Sequence, residues 1–279
     1  MIKKVGFIGL GEMGLPMAKR LVSHGFDVTV CGHVRREPIE IMKAMNAREA
    51  RSHKEVAQAS EVTITIVRNE SETEKIILGE DGLLSGAQKG SGIIIMSTLR
   101  PSFCRRMGVS TEQKGVNILD APVLGAPKQA QSGKQGIAVG GKKEIMELYR
   151  PVLEVMGKVI YCGDLGMGMV SKLVNNMLAT INGRVVAEAI TWGINNGANE
   201  EELVELIKKG SGNSWIIENY QWIKTLWTDP PPDTYYLAAK DLGYALEMAR
   251  ESGQSYPMLE LGAELNIGPP FKIPENSKK

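Results

Sequence analysis

The sequence predicts an α/β fold in which an N-terminal doubly wound sheet is followed by an all-helical C-terminal domain. Between residues 5 and 21, a short apolar strand leads through a glycine-rich turn into a helix. Strand-like and helix-like segments then alternate up to Gly163, as a doubly wound sheet requires. Beyond Gly163 every segment has helical character, so we predict two domains, residues 1–163 and residues 164–279.

The N-terminal turn has the glycine spacing of a dinucleotide-binding Rossmann fold. Its first glycine allows a tight bend, the second lets a diphosphate approach the backbone, and the third lets helix and strand pack closely. The N–H groups that begin the helix would then face the diphosphate. We therefore expect consecutive residues of this turn to bind the cofactor: Gly9, Leu10, Gly11, Glu12, Met13 and Gly14.

Composition and charge indicate which classes of binding partner to expect. The formal net charge of +1 gives no reason to expect a nucleic acid or an anionic membrane. No apolar run is long enough to span a bilayer and the first residues enter a strand directly, so we expect a cytoplasmic protein. The 3 cysteines and 3 histidines lack the spacing of a zinc or redox site, so no metal centre is predicted.

The residues after the second predicted strand bear on which dinucleotide binds. Sequences that bind NAD usually place an acid there, which binds the ribose 2′-hydroxyl. This chain has His33, Arg35 and Arg36 instead, with no acid before Glu37. Two guanidinium groups offer charge-assisted hydrogen bonds to a 2′-phosphate, so we predict NADP, with NAD also possible. The alternative is that both arginines are solvated residues at the start of the next helix.

The carboxyl edge of the predicted sheet, where such folds bind ligands, carries further candidates. Val67 ends the strand predicted over residues 62–67, and Ser97 and Thr98 follow the strand predicted over residues 93–96. We expect Val67 and Thr98 to contact the cofactor. A helix cap for the segment that begins at Pro101 is the alternative for the Ser-Thr pair.

One long helix is predicted from residue 169 to about residue 196, and it is apolar on nearly every side, which predicts burial. Lys172 and Asn176 lie one turn apart on it and share a face. Because an unpaired buried charge is costly, these side chains need partners, and a substrate oxygen in a cleft between the domains would be one. Apolar surroundings would let Lys172 exchange a proton near neutral pH. The alternative is a snorkelling lysine beside a hydrogen-bonded asparagine.

Four motifs together resemble the β-hydroxyacid dehydrogenase family, which includes 3-hydroxyisobutyrate dehydrogenases and tartronate semialdehyde reductases. The motifs span nearly the whole chain in the family's order: GLGEMGLPMAKRL at residues 9–21, DAPVLGA at 120–126, GMGMVSKLVNN at 166–176 and KDLGYAL at 240–246. The resemblance implies an NAD(P)-dependent oxidoreductase that transfers hydride to or from a small β-hydroxyacid or semialdehyde.

The resemblance also implies roles for individual residues. Lys172 would be the general acid/base, and Asn176 would orient the substrate. Thr98 would lie near the nicotinamide and the substrate. Lys240 would meet the cofactor or the substrate, and Trp215 would belong to the pocket wall.

The chain departs from the family in the loop that would bind the substrate. Members commonly carry DAPVSGG, whose serine and glycines bind a carboxylate. Here Val123 and Gly125 are retained, whereas Leu124 and Ala126 stand at the serine and second-glycine positions. Either backbone N–H groups alone hold a carboxylate, or the substrate is not the usual short hydroxyacid. The family's Asn-Arg pair after the second strand is also replaced, by Gly32 and the following histidine.

Two other functions remain open at this point. Leu124 favours an imine reductase, because an imine needs no carboxylate site, whereas Lys172 argues against it. A non-catalytic nucleotide-binding module of the same fold would lack the lysine. The apolar surface of the long helix further predicts a homodimer or homotetramer.

Overall fold

The computed structural model describes residues 2–32, 35–230 and 234–265. The chain divides into two compact units, Met1–Lys172 and Leu173–Lys279. The boundary predicted from the glycine-rich segment, between residues 163 and 164, lies a few residues earlier and stays a prediction.

The first unit consists of a sheet with helices on both faces. Its strands are β1 (Lys4–Ile8), β2 (Asp27–Cys31), β3 (Arg48–Ala50), β4 (Val62–Thr65), β5 (Gly92–Ile95), β6 (Asn117–Asp120), β7 (Val123–Leu124), β8 (Gln135–Gly140) and β9 (Gly157–Gly163). Its helices are α1 (Gly14–Ser23), α2 (Glu37–Ala44), α3 (His53–Gln58), α4 (Glu70–Leu78), α5 (Leu83–Gly86), α6 (Pro101–Gln113), α7 (Pro127–Ser132) and α8 (Lys143–Met156).

The strand order is β3-β2-β1-β4-β5-β6-β8-β7, with β9 paired to β8. The first six strands are parallel, and Val5 of β1 lies opposite Val28 on one side and Val62 on the other. This is the doubly wound order, and the fold class predicted from the sequence is confirmed. Beyond β6 the sheet changes direction, because β8 runs antiparallel to β6 and β9 continues parallel to β8.

Alternation along the strands divides the core between the two faces of the sheet. On β5, Ile94 packs with Phe7 and Leu21 in one apolar cluster. Its neighbours Ile93 and Ile95 pack in the other cluster. Successive side chains of a strand point to opposite faces, so strands covered by helices on both sides are apolar throughout.

Helix α9 (Met167–Asn195) begins in the first unit and continues into the second. The second unit also contains α10 (Glu200–Lys209), α11 (Trp215–Glu218), α12 (Tyr220–Thr228), α13 (Thr234–Glu251) and α14 (Pro257–Leu265). Its core has two parts, one around Tyr220 and Ile190 and one around Leu242 and Leu259. The all-helical character predicted for this half is confirmed.

Two expectations need correction. Residues 215–226, whose sequence predicts one helix, belong to two helices, because Asn219 leaves the helical conformation between them. The burial predicted for the long helix is incomplete within one chain, since four of its apolar side chains are each more than half exposed: Val174, Leu178, Val185 and Trp192.

Candidate active site

The turn between β1 and α1 has the close approaches that its glycines predict. Gly9 has a φ of +100°, and a Cβ there would overlap the carbonyl oxygen of Ile66. A Cβ on Gly14 would overlap the carbonyl oxygen of Gly9, so helix and turn touch at that point. Around Gly11, in contrast, no atom of the described residues other than its chain neighbours lies within 4 Å of the place that a Cβ would take. The middle glycine therefore faces open space, where a diphosphate can approach the backbone.

The start of α1 also suits an anion. No side chain caps this helix, and no acidic residue of its first turn competes with a diphosphate for the N–H groups there. The remaining predicted residues of the turn, Leu10, Glu12 and Met13, lie in the same segment, with Glu12 exposed. The residues present thus fit the diphosphate of a dinucleotide.

The carboxyl edge of the sheet is held together by a buried hydroxyl. The N–H of Val67, just after β4, donates to Oγ of Ser97 at 2.7 Å. Ser97 is buried, and Thr98 beside it is half-buried. The two segments that follow β4 and β5 are therefore tied together at the edge where open α/β sheets bind ligands.

The predicted 2′-phosphate site is only partly described. His33 lies outside the described residues. Arg35 is exposed. Arg36 forms an ion pair with Glu49 of β3 and another, at 2.6 Å, with Glu40 of α2. The guanidinium of Arg36 is thus already held by two carboxylates.

The predicted substrate loop contains the short strand β7, which pairs antiparallel with β8. Val123 is buried, and Leu124 pairs with Gly136 of β8 and packs over it. Gly125 follows with a φ of +141°. The next N–H, that of Ala126, donates to Oε1 of Gln129 at 3.0 Å. This backbone group is therefore occupied, which reduces the donors that the loop can offer to a carboxylate.

Lys172 is half-buried near the start of α9, at the end of the first unit. The residue that ties the start of this helix to the sheet is Asp120, which the sequence reasoning did not single out. Its carboxylate oxygens accept hydrogen bonds from the N–H groups of Gly166 and Met169, both at 2.7 Å. The sequence feature that could have indicated a role for Asp120 is its place in the DAPVLGA motif, at the end of β6.

Asn176, Trp215 and Lys240 belong to the second unit. The amide nitrogen of Asn176 donates to Oδ2 of Asp241 at 2.6 Å, and the ammonium of Lys240 lies 2.8 Å from Oδ1 of the same carboxylate. Asp241, also missed from sequence, is 8% exposed. The only signal for it was its place beside Lys240 in the KDLGYAL motif.

Lys240 and Trp215 also contact aromatic rings of the second unit. The Lys240 ammonium lies 4.9 Å from the ring centroid of Tyr244. Trp215 is 54% exposed and makes an edge contact with Trp222, with ring centroids 5.9 Å apart. The roles of Lys240 towards cofactor or substrate and of Trp215 as pocket wall stay predictions.

Comparison with known proteins identifies the family. Residues 4–168 match the family model described as the NAD binding domain of 6-phosphogluconate dehydrogenase. Residues 166–267 match the model described as NAD-binding of NADP-dependent 3-hydroxyisobutyrate dehydrogenase. The chain belongs to the β-hydroxyacid dehydrogenase family. It is an NAD(P)-dependent oxidoreductase, as the motifs imply.

Named members of the β-hydroxyacid dehydrogenase family match over most of their length. An NAD-dependent L-serine dehydrogenase of Pseudomonas aeruginosa is 34% identical, over 95% of this chain and 91% of that protein. A 2-(hydroxymethyl)glutarate dehydrogenase of Eubacterium barkeri is 36% identical, over 95% of this chain and 88% of that protein. The solved structure of Mycobacterium tuberculosis 3-hydroxyisobutyrate dehydrogenase with L-serine has a TM-score of 0.85 and 25% identity, and covers 98% of this chain and 97% of that one.

Membrane spans and metal clusters are both absent from the described part of the chain. Among residues 2–32, 35–230 and 234–265, no helix is both long and apolar enough to cross a membrane. Over the same ranges, no group of three or more His, Cys, Asp or Glu residues could hold a metal ion.

Proposed function

We propose that the chain interconverts a small β-hydroxyacid and its semialdehyde, with Lys172 as general acid/base. One observation carries this proposal. Lys172 stands in the same compact unit as the glycine turn and the DAPVLGA loop, on a helix whose first turn is hydrogen-bonded to the carboxyl end of β6. Ligands of open α/β sheets bind at that end.

The chemistry assigned to the chain is proton transfer and orientation. The chemistry that NAD(P) would supply when bound is hydride exchange with the substrate carbon. In reduction, the ammonium of Lys172 donates a proton to the carbonyl oxygen, and in oxidation the amine accepts the hydroxyl proton. Asn176 orients the substrate: one N–H of its amide is held by Asp241, and the second is left for a substrate oxygen.

The glycine turn, Val67 and Thr98 are assigned to the cofactor, and Thr98 also to the substrate. For the adenosine ribose we assign the 2′-phosphate of NADP to Arg35. Arg36 contributes less, because Glu40 and Glu49 already hold its guanidinium. NADP is therefore the proposed preference and NAD the alternative.

The substrate loop supports a substrate with an apolar substituent. Leu124 replaces a hydroxyl donor with an apolar side chain, and the N–H of Ala126 is occupied by Gln129. We propose that an apolar group of the hydroxyacid or semialdehyde lies against Leu124, because such a group loses no hydrogen bond there.

The same residue favours a second candidate function, the reduction of an imine, since an imine needs no carboxylate site. Lys172 distinguishes the two, because the imine reductases that resemble this family usually carry another proton donor at that position. A non-catalytic module is disfavoured by the presence of Lys172.

The exposed apolar residues of α9 support a homo-oligomer. Val174, Leu178, Val185 and Trp192 recur at helical spacing along about five turns of the helix. We propose that a second copy of the chain covers this stripe, as a homodimer or as part of a homotetramer. A cytoplasmic location stays a prediction.

Steady-state turnover with NADPH and with NADH tests the function. The substrates are a panel of semialdehydes with and without an apolar branch, 2-oxo acids and a cyclic imine. We expect reduction of a branched semialdehyde, and a shift towards unbranched substrates in Leu124→Ser. Turnover of the imine alone would overturn the assignment in favour of the second candidate.

A further inference from the structure

Asp120 connects two parts of the first unit that are far apart in sequence. It is the last residue of β6 and is fully buried. Its Oδ1 accepts from the N–H of Gly166, just before α9, and its Oδ2 accepts from the N–H of Met169 in the first turn of that helix. Each carboxylate oxygen is thus used by a different backbone group.

The carboxylate is enclosed by close backbone approaches. A Cβ on Gly140, at the end of β8, would overlap Oδ1, and a Cβ on Gly168 would press against Oδ2. Burial raises the pKa of Asp120, while the two backbone N–H bonds and the charge of Arg105 act in the opposite direction. The space admits a carboxylate and leaves little room for a longer side chain.

The two hydrogen bonds determine how the start of α9 is placed on the sheet. One hydrogen bond alone would let the helix rotate about that bond. Two hydrogen bonds to one rigid carboxylate fix both the rotation of the helix about its axis and its position along that axis. Each residue of an α-helix turns the side-chain direction by about 100° and advances by about 1.5 Å. Lys172 is three residues after Met169, so its direction follows from the placement of that first turn.

Asp120 is also three residues before Val123 in the chain. The same residue therefore ends the strand, leads into the DAPVLGA loop and holds the first turn of the helix that carries Lys172. A change at this carboxylate would shift the helix relative to the loop.

We propose that Asp120 is a positioning residue, which sets the direction of Lys172 relative to the substrate loop through the first turn of α9. This inference rests on the function proposed for Lys172. It assigns no contact between Asp120 and the cofactor or the substrate.

The test is Asp120→Asn, which keeps the shape of the side chain. The two N–H groups are aimed at different oxygens, and an amide in the same place has one acceptor oxygen, so its NH₂ would face the other N–H group. We expect kcat to fall by up to about 100-fold, because a small misplacement of a reacting group has effects of that size. We expect the KM for substrate and the Kd for NADPH to stay unchanged.

Glu61→Ala is the matched control. The carboxylate of Glu61 also accepts two backbone N–H groups, those of Lys3 at 2.7 Å and Lys4 at 2.9 Å, but at the amino edge of the sheet. Its loss should lower the thermal unfolding temperature and leave kcat unchanged. An equal fall of kcat in both variants would overturn the proposal, because general loss of stability would then explain it.

A Lys172→Ala background separates this inference from the proposed function. If Asp120 acts through Lys172, Asp120→Asn adds no further loss of kcat in that background. If Lys172→Ala keeps the wild-type rate, the proposed function fails. If Lys172→Ala loses the rate while Asp120→Asn keeps it, only the positioning role fails.

Asp120→Ser is measured beside Asp120→Asn, because it keeps one acceptor oxygen and needs less space. As for Asp120→Asn, we expect kcat to fall while the KM for substrate stays unchanged. Loss of NADPH binding in both variants would contradict the proposal, since the carboxylate would then support the whole unit and not one turn of α9.

Discussion

Asn176 donates a hydrogen bond of 2.6 Å to Asp241, which lies 65 residues later in the chain. The bond joins α9 to α13 within the second unit. The other oxygen of Asp241 faces the ammonium of Lys240 at 2.8 Å, and both side chains of this ion pair are 10% exposed. The orientation of the Asn176 amide therefore depends on a buried ion pair.

Asp241→Asn is expected to destabilise the second unit strongly. It removes the charge that faces a buried ammonium, and breaking one partner of a buried pair costs about 3–5 kcal/mol. Urea unfolding measures the change. Glu205→Gln is the matched control, because its ion pair with Lys208 at 2.6 Å is exposed and its loss should cost about 1 kcal/mol or less. Equal losses in the two variants would contradict the buried role of Asp241.

Gly11→Ala is expected to weaken cofactor binding without weakening the fold. In the described part of the chain, only the neighbours of Gly11 in sequence lie within 4 Å of the place of the new methyl group, so we expect the group to meet the diphosphate. Fluorescence titration with NADPH should give a higher Kd at an unchanged unfolding temperature. Gly9→Ala serves as the contrast, since its positive φ and its contact with Ile66 predict a lower unfolding temperature. A wild-type Kd in Gly11→Ala would place the diphosphate elsewhere.

Arg35→Ala is expected to raise the KM for NADPH while that for NADH stays unchanged. Loss of a charge-assisted hydrogen bond to the 2′-phosphate should raise the KM for NADPH by about 10-fold or more. Arg36→Ala should have the smaller effect, because Glu40 and Glu49 hold that guanidinium. A larger NADPH-selective loss in Arg36→Ala than in Arg35→Ala would reverse the assignment.

Val185→Glu is expected to separate the oligomer into monomers. The new carboxylate would lie in the apolar stripe of α9, where a second copy would have to bury it without a partner. Sedimentation velocity at micromolar concentration measures the state. Ala179→Lys adds a charge to an exposed position of the same helix outside the stripe and should leave the oligomer intact. Sedimentation of the wild-type chain as a monomer would contradict the proposed homo-oligomer.

The doubly wound fold class was predictable because it rests on local patterns. The glycine turn lies between an apolar strand and a helix, and short apolar runs then alternate with amphipathic segments along the first unit. The region from Glu37 to Gln58 was less predictable, because β3 has only three residues and α3 only six, too few to show a period.

The hydrogen-bond partners of Asp120 and Asp241 could not be predicted for a different reason. Asp120 reaches N–H groups 46 and 49 residues away, and Asp241 reaches Asn176 across 65 residues. Such partners are set by tertiary packing and leave no spacing in the sequence. Which face of α9 one chain leaves exposed, with Val185 and Trp192 on it, was not predictable, because apolar composition does not say whether one chain or two bury a helix.

The turnover number of Lys172→Ala with saturating NADPH and substrate tests the central claim most directly. General acid/base catalysis contributes about 10²- to 10⁴-fold, so kcat should fall by that factor while the Kd for NADPH is unchanged. The kcat of Lys172→Arg should fall similarly, because arginine keeps the charge but does not release its proton. A kcat close to that of the wild type in Lys172→Ala would contradict the account.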